Sequence, residues 1–258
     1  TRSANTPWYD GPTLLEYFEG IELSAPHPEA SNLRLAVQWV SRPTAQERRR
    51  YTGRLSAGTL RVGDPIVSLP AGTTSTVTAL DTLDADRDVA VAPLSVSIEL
   101  ADDIDVGRGD VFVSGADDAV RPVLARELDA TVCWFTETPL RAGDRVALKH
   151  GARTVRATVQ ALHSRLDPET LDDLDQPVEL GLNDIGSVTL RTSSVVVADE
   201  YAANRDNGAF ILIDETSNDT VGAGTILEAR EVKPGEQTRN DIRWHPSSLD
   251  RDYRWGKT

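Results

Sequence analysis

The chain has 258 residues, 39% of them hydrophobic and 26% charged, which is enough for two ordinary domains that each bury a core. No apolar run approaches the roughly 18 residues needed to span a bilayer, and no secretory n-region and h-region open the sequence. A soluble, cytoplasmic protein is therefore expected. The net charge of −14 repels a phosphate backbone and argues against a nucleic-acid partner.

The charge is unevenly spread. Between Asp81 and Asp118 lie eleven acidic and two basic residues, whereas from Ala229 to Thr258 seven basic residues face five acidic ones. That leaves −16 on residues 1–228. Arginine outnumbers lysine twenty-four to three, which fits a GC-rich coding bias. Cys133 is the single cysteine, so no disulfide framework or cysteine metal site can form. Its setting in Thr-Val-Cys-Trp-Phe predicts a buried, inert thiol. There is no methionine, and the expectation is a segment interior to a longer protein.

The chain opens with one helical signal. Thr13 stands three residues before Glu16 in the capping-box spacing, and Leu14, Leu15 and Phe18 form one apolar stripe, which predicts about two turns over 13–19. Residues 24–32 carry two prolines and no periodicity, the pattern of a linker. From Leu33 the texture turns β. Leu35, Val37 and Trp39 alternate with Arg34, Ala36 and Gln38. A strand from Tyr51, a turn at Ser56–Gly58 and a further strand after Gly63-Asp64 follow. Short strands are then predicted over 75–80, 93–100 and 110–114. Gly, Asp and Pro at each break suit an antiparallel barrel or sandwich.

A turn-rich gap at 115–120 separates this series from a second. Its predicted strands cover 127–135, 145–150, 153–165, 178–190, 195–198, 208–214 and 220–229. Residues 167–174 read as briefly helical, entered through Pro168 after an Asp cap. From Glu231 alternation ceases, and the stretch holding Trp244 and Trp255 reads as an extended linker with aromatic anchors.

Three glycine-marked blocks resemble the second and third domains of elongation factor Tu and its relatives. They are Thr52-Gly-Arg-Leu-Ser-Ala-Gly-Thr-Leu-Arg-Val-Gly-Asp64, Ile104-Asp-Val-Gly-Arg-Gly-Asp-Val-Phe-Val113 and Thr220-Val-Gly-Ala-Gly-Thr-Ile226. Tight turns require φ > 0 and barrel corners tolerate no Cβ, which gives these glycines a physical role. Four further blocks narrow the resemblance: Pro7-Trp-Tyr-Asp-Gly-Pro-Thr-Leu-Leu-Glu16, Leu148-Lys-His-Gly-Ala-Arg-Thr-Val-Arg-Ala157, Leu182-Asn-Asp-Ile-Gly-Ser-Val188 and Asn204-Arg-Asp-Asn-Gly-Ala-Phe-Ile-Leu-Ile-Asp214. In this order they resemble the GTPase large subunit of bacterial sulfate adenylyltransferase, over about residues 1–228. Asn240-Asp-Ile-Arg-Trp-His-Pro-Ser-Ser-Leu-Asp250 resembles the connector to an adenylylsulfate kinase in fused forms.

The resemblance implies an all-β fold of two tandem Greek-key β-barrels of translation-factor type. The expected parts are a helix and linker over 1–31, barrels over 32–117 and 118–229, and a linker over 230–258. It also implies a parent that makes adenylyl sulfate from ATP and sulfate, driven by GTP hydrolysis, with GTP, ATP and Mg as cofactors. The implied partners are a catalytic small subunit, an upstream GTPase domain and a possible downstream kinase domain. The chain itself lacks both the phosphate loop G-x-x-x-x-G-K-[S/T] and the guanine-reading N-K-x-D. Gly256-Lys-Thr258 mimics the end of a phosphate loop, but Arg251 stands where its first glycine must be. The segment is thus expected to hold no catalytic, cofactor or metal site and to act as a coupling and interaction module. The alternative is the barrel pair of a translation-type GTPase that grips tRNA or the ribosome.

His27, His150, His163 and His245 are scattered without metal-ligand spacing. Asp102 to Asp110 superficially resembles a calcium loop, but a loop starting at Asp103 would need Glu where Ser114 stands. The candidate interface set is Trp8 and Tyr9 before the helix, the cationic run Arg48, Arg49 and Arg50, Arg108 in the Arg-Gly strand, and His150 in the Leu-Lys-His block.

Overall fold

The computed structural model describes residues 5–21, 32–42, 48–82 and 85–231. The expected connector after Glu231 and the linker over 24–31 lie outside these residues. The only helix among them is α1 (Leu14–Gly20). Its Thr13 cap accepts a hydrogen bond from the Glu16 amide while the Glu16 carboxylate accepts one from the Thr13 amide, completing the capping box. These bonds hold the Glu16 carboxyl below its ordinary pKa.

Everything else is strand and turn. Before Val120 the strands are β1 (Arg34–Ser41), β2 (Arg50–Ala57), β3 (Thr59–Arg61), β4 (Pro65–Leu69), β5 (Thr73–Asp81), β6 (Val89–Val91), β7 (Leu94–Leu100) and β8 (Val111–Ser114). After it come β9 (Val123–Trp134), β10 (Leu140–Arg141), β11 (Arg145–His150), β12 (Arg153–Leu166), β13 (Asp173–Asp175), β14 (Glu179–Leu180), β15 (Ile185–Ala198), β16 (Ala209–Ile213) and β17 (Thr220–Glu231). Two compact units result. One holds the described residues up to Val120 except 69–72 and 108–110; the other holds those two segments and the residues from Arg121 onward.

The first unit is a closed barrel in the order β1-β2-β7-β5-β4-β8, with β3 and β6 paired as a separate ribbon. Neighbours that are not consecutive in the chain, such as β2 and β7, give it the expected Greek-key character. Alternation points Leu35, Val37, Tyr51, Leu55, Val96, Ile98 and Phe112 into the core. Tyr51 meets Phe112 edge to face, with centroids 5.5 Å apart, and its hydroxyl donates to the Ile104 carbonyl at 3.1 Å. Such a pair adds about 0.5–1.5 kcal/mol beyond area burial, and the satisfied hydroxyl removes the cost of burying it.

The second unit also closes. Its sheet runs β11-β16-β17-β9-β15-β12, and β12 pairs back onto β11, while β13 extends the edge of β12. Leu128, Ala130, Val132, Leu148, Val188, Leu190 and Leu212 fill the interior, all fully buried. Trp134 joins them and donates its indole N–H to the Thr138 carbonyl at 2.7 Å.

The structure corrects three expectations. Residues 167–174 form no helix. Asp167 caps the Glu169 and Thr170 amides and its carbonyl accepts from Leu171, but Leu171 takes φ 62°, so the turn stops and the chain returns as β13. The strand expected over 178–190 is broken at a turn where Asn183 has φ 64°, and the strand expected over 195–198 is instead the end of β15. Cys133 is half-buried and points outward, because the alternation of β9 gives the interior to Val132 and Trp134.

Gly58, between β2 and β3, has φ 79°, a region that a β-branched residue enters only with strain. Gly58→Val is expected to destabilise the first barrel by about 1–3 kcal/mol. Denaturant titration should show a lower midpoint at unchanged slope; an unmoved midpoint would remove the turn's conformational requirement.

Candidate functional site

The N-terminal segment presents unpartnered apolar surface. Trp8 is 78% exposed and stands edge-on to Tyr9, whose hydroxyl donates to the Pro12 carbonyl at 3.0 Å. In α1 no residue is buried, and Leu14, Leu15, Tyr17 and Phe18 are all exposed. A seven-residue helix is too short to persist on propensity alone, and its capping box supports it in place of burial.

The cationic run is committed to the first barrel's own chain. Arg48 donates to the Leu100 and Ala101 carbonyls at 2.6 and 2.8 Å. Arg49 pairs with Asp103 at 3.1 Å, and Arg42 reaches the other oxygen of that carboxylate at 2.7 Å. Arg50 bridges Asp81 and Glu99, with the second contact at 2.9 Å. The three arginines therefore clamp the end of β7 and the acidic loop after it. These groups are part-exposed, so each ion pair contributes at most about 1 kcal/mol, but together they offset the repulsion within the acidic stretch. Asp102 accepts from Ser75 at 2.9 Å, and Asp103, the first position of the mock calcium loop, is taken by Arg42 and Arg49. Arg108 is exposed, in the short segment 108–110 that groups with the second unit.

His150 lies apart from that cluster and inside the second barrel, only 6% exposed. Its Nε2 is 2.8 Å from the Asn207 carbonyl, which fixes that nitrogen as the donor. Asn207 in turn donates its side-chain amide to Asp199 at 2.8 Å, and its backbone N–H donates to Asn204. The Leu-Lys-His and Asn-Arg-Asp-Asn-Gly blocks thus meet in one hydrogen-bonded network that pins the loop between β15 and β16. The His150 ring is thus turned to this loop and not to solvent. Burial pushes its pKa below the ordinary imidazole value, opposed by the Asn207 hydrogen bond and the Asp199 charge.

Sequence reasoning missed a hollow of about 660 Å³ on the outer face of the second barrel. Strand register builds it. Lys149, Ile211, Ala223, Cys133 and Ile185 pair in one row across β11, β16, β17, β9 and β15. Ala209, Thr225 and Thr131 form a parallel row beside it. Small side chains at the centre of both rows leave the depression, and Tyr201 stands at its rim. On the inner face Phe210 packs over Gly224, where a Cβ would lie 2.5 Å from the ring. Only the irregular size of outward-facing residues on β9, β16 and β17 hinted at it, and the pairing that aligns them is not written in any one strand.

Comparison with known proteins places this architecture. Residues 127–227 match the GTP-eEF1A C-terminal domain-like family. The bifunctional enzyme CysN/CysC of Mycobacterium tuberculosis is 39% identical over 94% of the chain, and that of Xylella fastidiosa 41% identical over 96%. Sulfate adenylyltransferase subunit 1 of Aeromonas hydrophila is 40% identical over 88% of the chain. The chain is similar to these proteins over most of its own length. It spans 39%, 38% and 46% of their respective lengths. The crystal structure of Sup35 with GDP aligns over 87% of the chain and 54% of its own, with a TM-score of 0.70 at 20% identity, a likeness of fold alone. Among the described residues no helix is long and apolar enough to cross a membrane.

The His150 network predicts a pH dependence. Because the folded pKa is depressed, the unfolded chain binds the proton first. The stability linked to neutral His150 is present above the unfolded value of about 6.5 and is lost as pH falls toward the folded one. Thermal midpoints measured from pH 7.5 to 5.5 should fall, and His150→Gln, which keeps a donor for Asn207, should flatten that slope. An identical slope in the variant would assign the dependence elsewhere.

Proposed function

We propose that this chain is the barrel portion of the GTPase subunit of sulfate adenylyltransferase, and that its work is mechanical. The 39% identity over 94% of the chain to the M. tuberculosis protein carries this reading. In it, an upstream domain binds GTP with Mg, a separate catalytic small subunit forms adenylyl sulfate from ATP and sulfate, and the barrels relay the switch state between them. A closed barrel suits that role, since it has no free edge to slip and moves as a unit. The bare stripe of α1, with Trp8 and Tyr9, is the surface we assign to the GTP-binding domain. Fusion to an adenylylsulfate kinase downstream is the reading that the CysN/CysC names support.

The likeness to Sup35 favours a second reading, a translation-type barrel pair that grips RNA or the ribosome. Charge weighs against it. The described arginines at 48–50 are spent on internal partners, and the whole chain carries −14, so little cationic surface is left for phosphates.

The purified chain should hydrolyse no GTP and form no adenylyl sulfate, because no phosphate-cradling loop occurs in its sequence. It should bind the catalytic small subunit with a dissociation constant in the micromolar range or weaker, about 8 kcal/mol, since it offers part of the full surface. Calorimetry with the subunit, beside a tRNA gel-shift at physiological salt, decides between the readings. Tight tRNA binding with no subunit binding would replace ours with the translation-factor one.

A further inference from the structure

The hollow on the second barrel pairs apolar shape with one unspent charge. Its volume, about 660 Å³, falls in the range of recognition pockets, roughly 300–1,000 Å³. The lining is mainly aliphatic and aromatic: Ile185, Ile211, Phe210, Tyr201 and the small residues at its centre. Lys149 is the only charged residue in that lining and the only lysine among the described residues. Among the described residues its ammonium has no hydrogen-bond or ion-pair partner, whereas arginines such as Arg50, Arg141, Arg156 and Arg230 are paired with carboxylates.

An unpaired ammonium beside an apolar depression, on a chain of net charge −14, selects its occupant. On a chain whose net charge is acidic, a carboxylate held next to an apolar group gains both burial and a charge partner at Lys149. The depression is open on one side, and the apolar surface runs past it. Ile185 is 38% exposed, and Phe135, two residues beyond Cys133, is 43% exposed. A surface that continues beyond the pocket suits a polypeptide better than an enclosed metabolite.

We infer that this hollow is the docking site for a segment of the catalytic small subunit that carries an apolar anchor side chain next to an Asp or Glu. The anchor fills the depression over Ala223 and Cys133, and the carboxylate pairs with Lys149. This rests on the proposed function, which supplies the partner; the outer face of the second barrel is what the structure adds.

Cys133, the single cysteine, sits in the floor and reports occupancy directly. The experiment measures iodoacetamide alkylation of Cys133 in the whole chain, with and without saturating purified small subunit, beside calorimetry of the same mixture. The expected result is at least tenfold slower alkylation in the complex. Lys149→Glu should weaken binding tenfold or more, Lys149→Arg should restore most of it, and Ala223→Leu should block it by filling the floor. Circular dichroism melts of each variant separate lost docking from lost folding, and the wild-type protection result stands without any variant. Binding with neither protection of Cys133 nor sensitivity to Lys149→Glu overturns the inference and leaves the proposed function intact. Absence of binding to the small subunit overturns both.

Discussion

Ring closure of antiparallel strands is the constraint on which the rest of this protein depends. Once β8 returns to β1, and β12 to β11, every backbone N–H and C=O in the six-strand rings can find a neighbour and no edge is left open. Closure also divides side chains strictly into two sets, because a one-residue slip in any strand would turn its whole apolar set outward. The buried set of β7 obeys that rule from Val96 to Leu100, and that of β9 from Leu128 to Trp134. The outer face is then a byproduct of the inner one, and the hollow over Ala223 and Cys133 exists because their neighbours on those strands were already committed to the core.

The charge distribution follows a second logic. An acidic stretch from Asp81 to Asp118 would repel itself, and the first barrel meets it with arginines from the opposite end of the sequence order. Arg42, Arg48, Arg49 and Arg50 reach Asp81, Glu99, Asp103 and the carbonyls of the loop after β7. A planar guanidinium can satisfy two such acceptors at once, which an ammonium does less well. The arginine-rich composition thereby becomes structural cement within the barrel. Lys149 stands outside this pattern, and its position beside an apolar depression is the physical reason for reading that face as one that meets a partner.

Buried polar chemistry appears in the second barrel where the chain must leave the sheet. His150, Asn207, Asn204 and Asp199 satisfy one another between β15 and β16, and Gly208 allows the approach, since a Cβ there would lie 2.4 Å from the Tyr201 backbone. A neutral imidazole donating to a carbonyl costs far less than a buried imidazolium would, so this loop is held by a group that is uncharged at physiological pH. The same loop carries Tyr201 to the rim of the hollow, and this links the shape of the surface to the integrity of the buried network.

Much of this architecture was legible in the sequence, for local reasons. The Thr13–Glu16 spacing determined the capping box, and period-two alternation determined most strands, including β11 over 145–150. Glycine determined the turn at 58, because only a residue without a Cβ enters φ > 0 freely. Such signals act over a few residues and need no partner. The tertiary structure alone decided which strands are neighbours, and with that everything that depends on register. It turned the helical pattern at 167–174 into a hairpin, took Cys133 out of the core, set the cationic run on internal carboxylates and buried His150. It also brought Lys149, Ile211, Ala223, Cys133 and Ile185, spread over 91 sequence positions, into one row. Period-two alternation states which face a residue takes; only closure of the ring states what stands beside it.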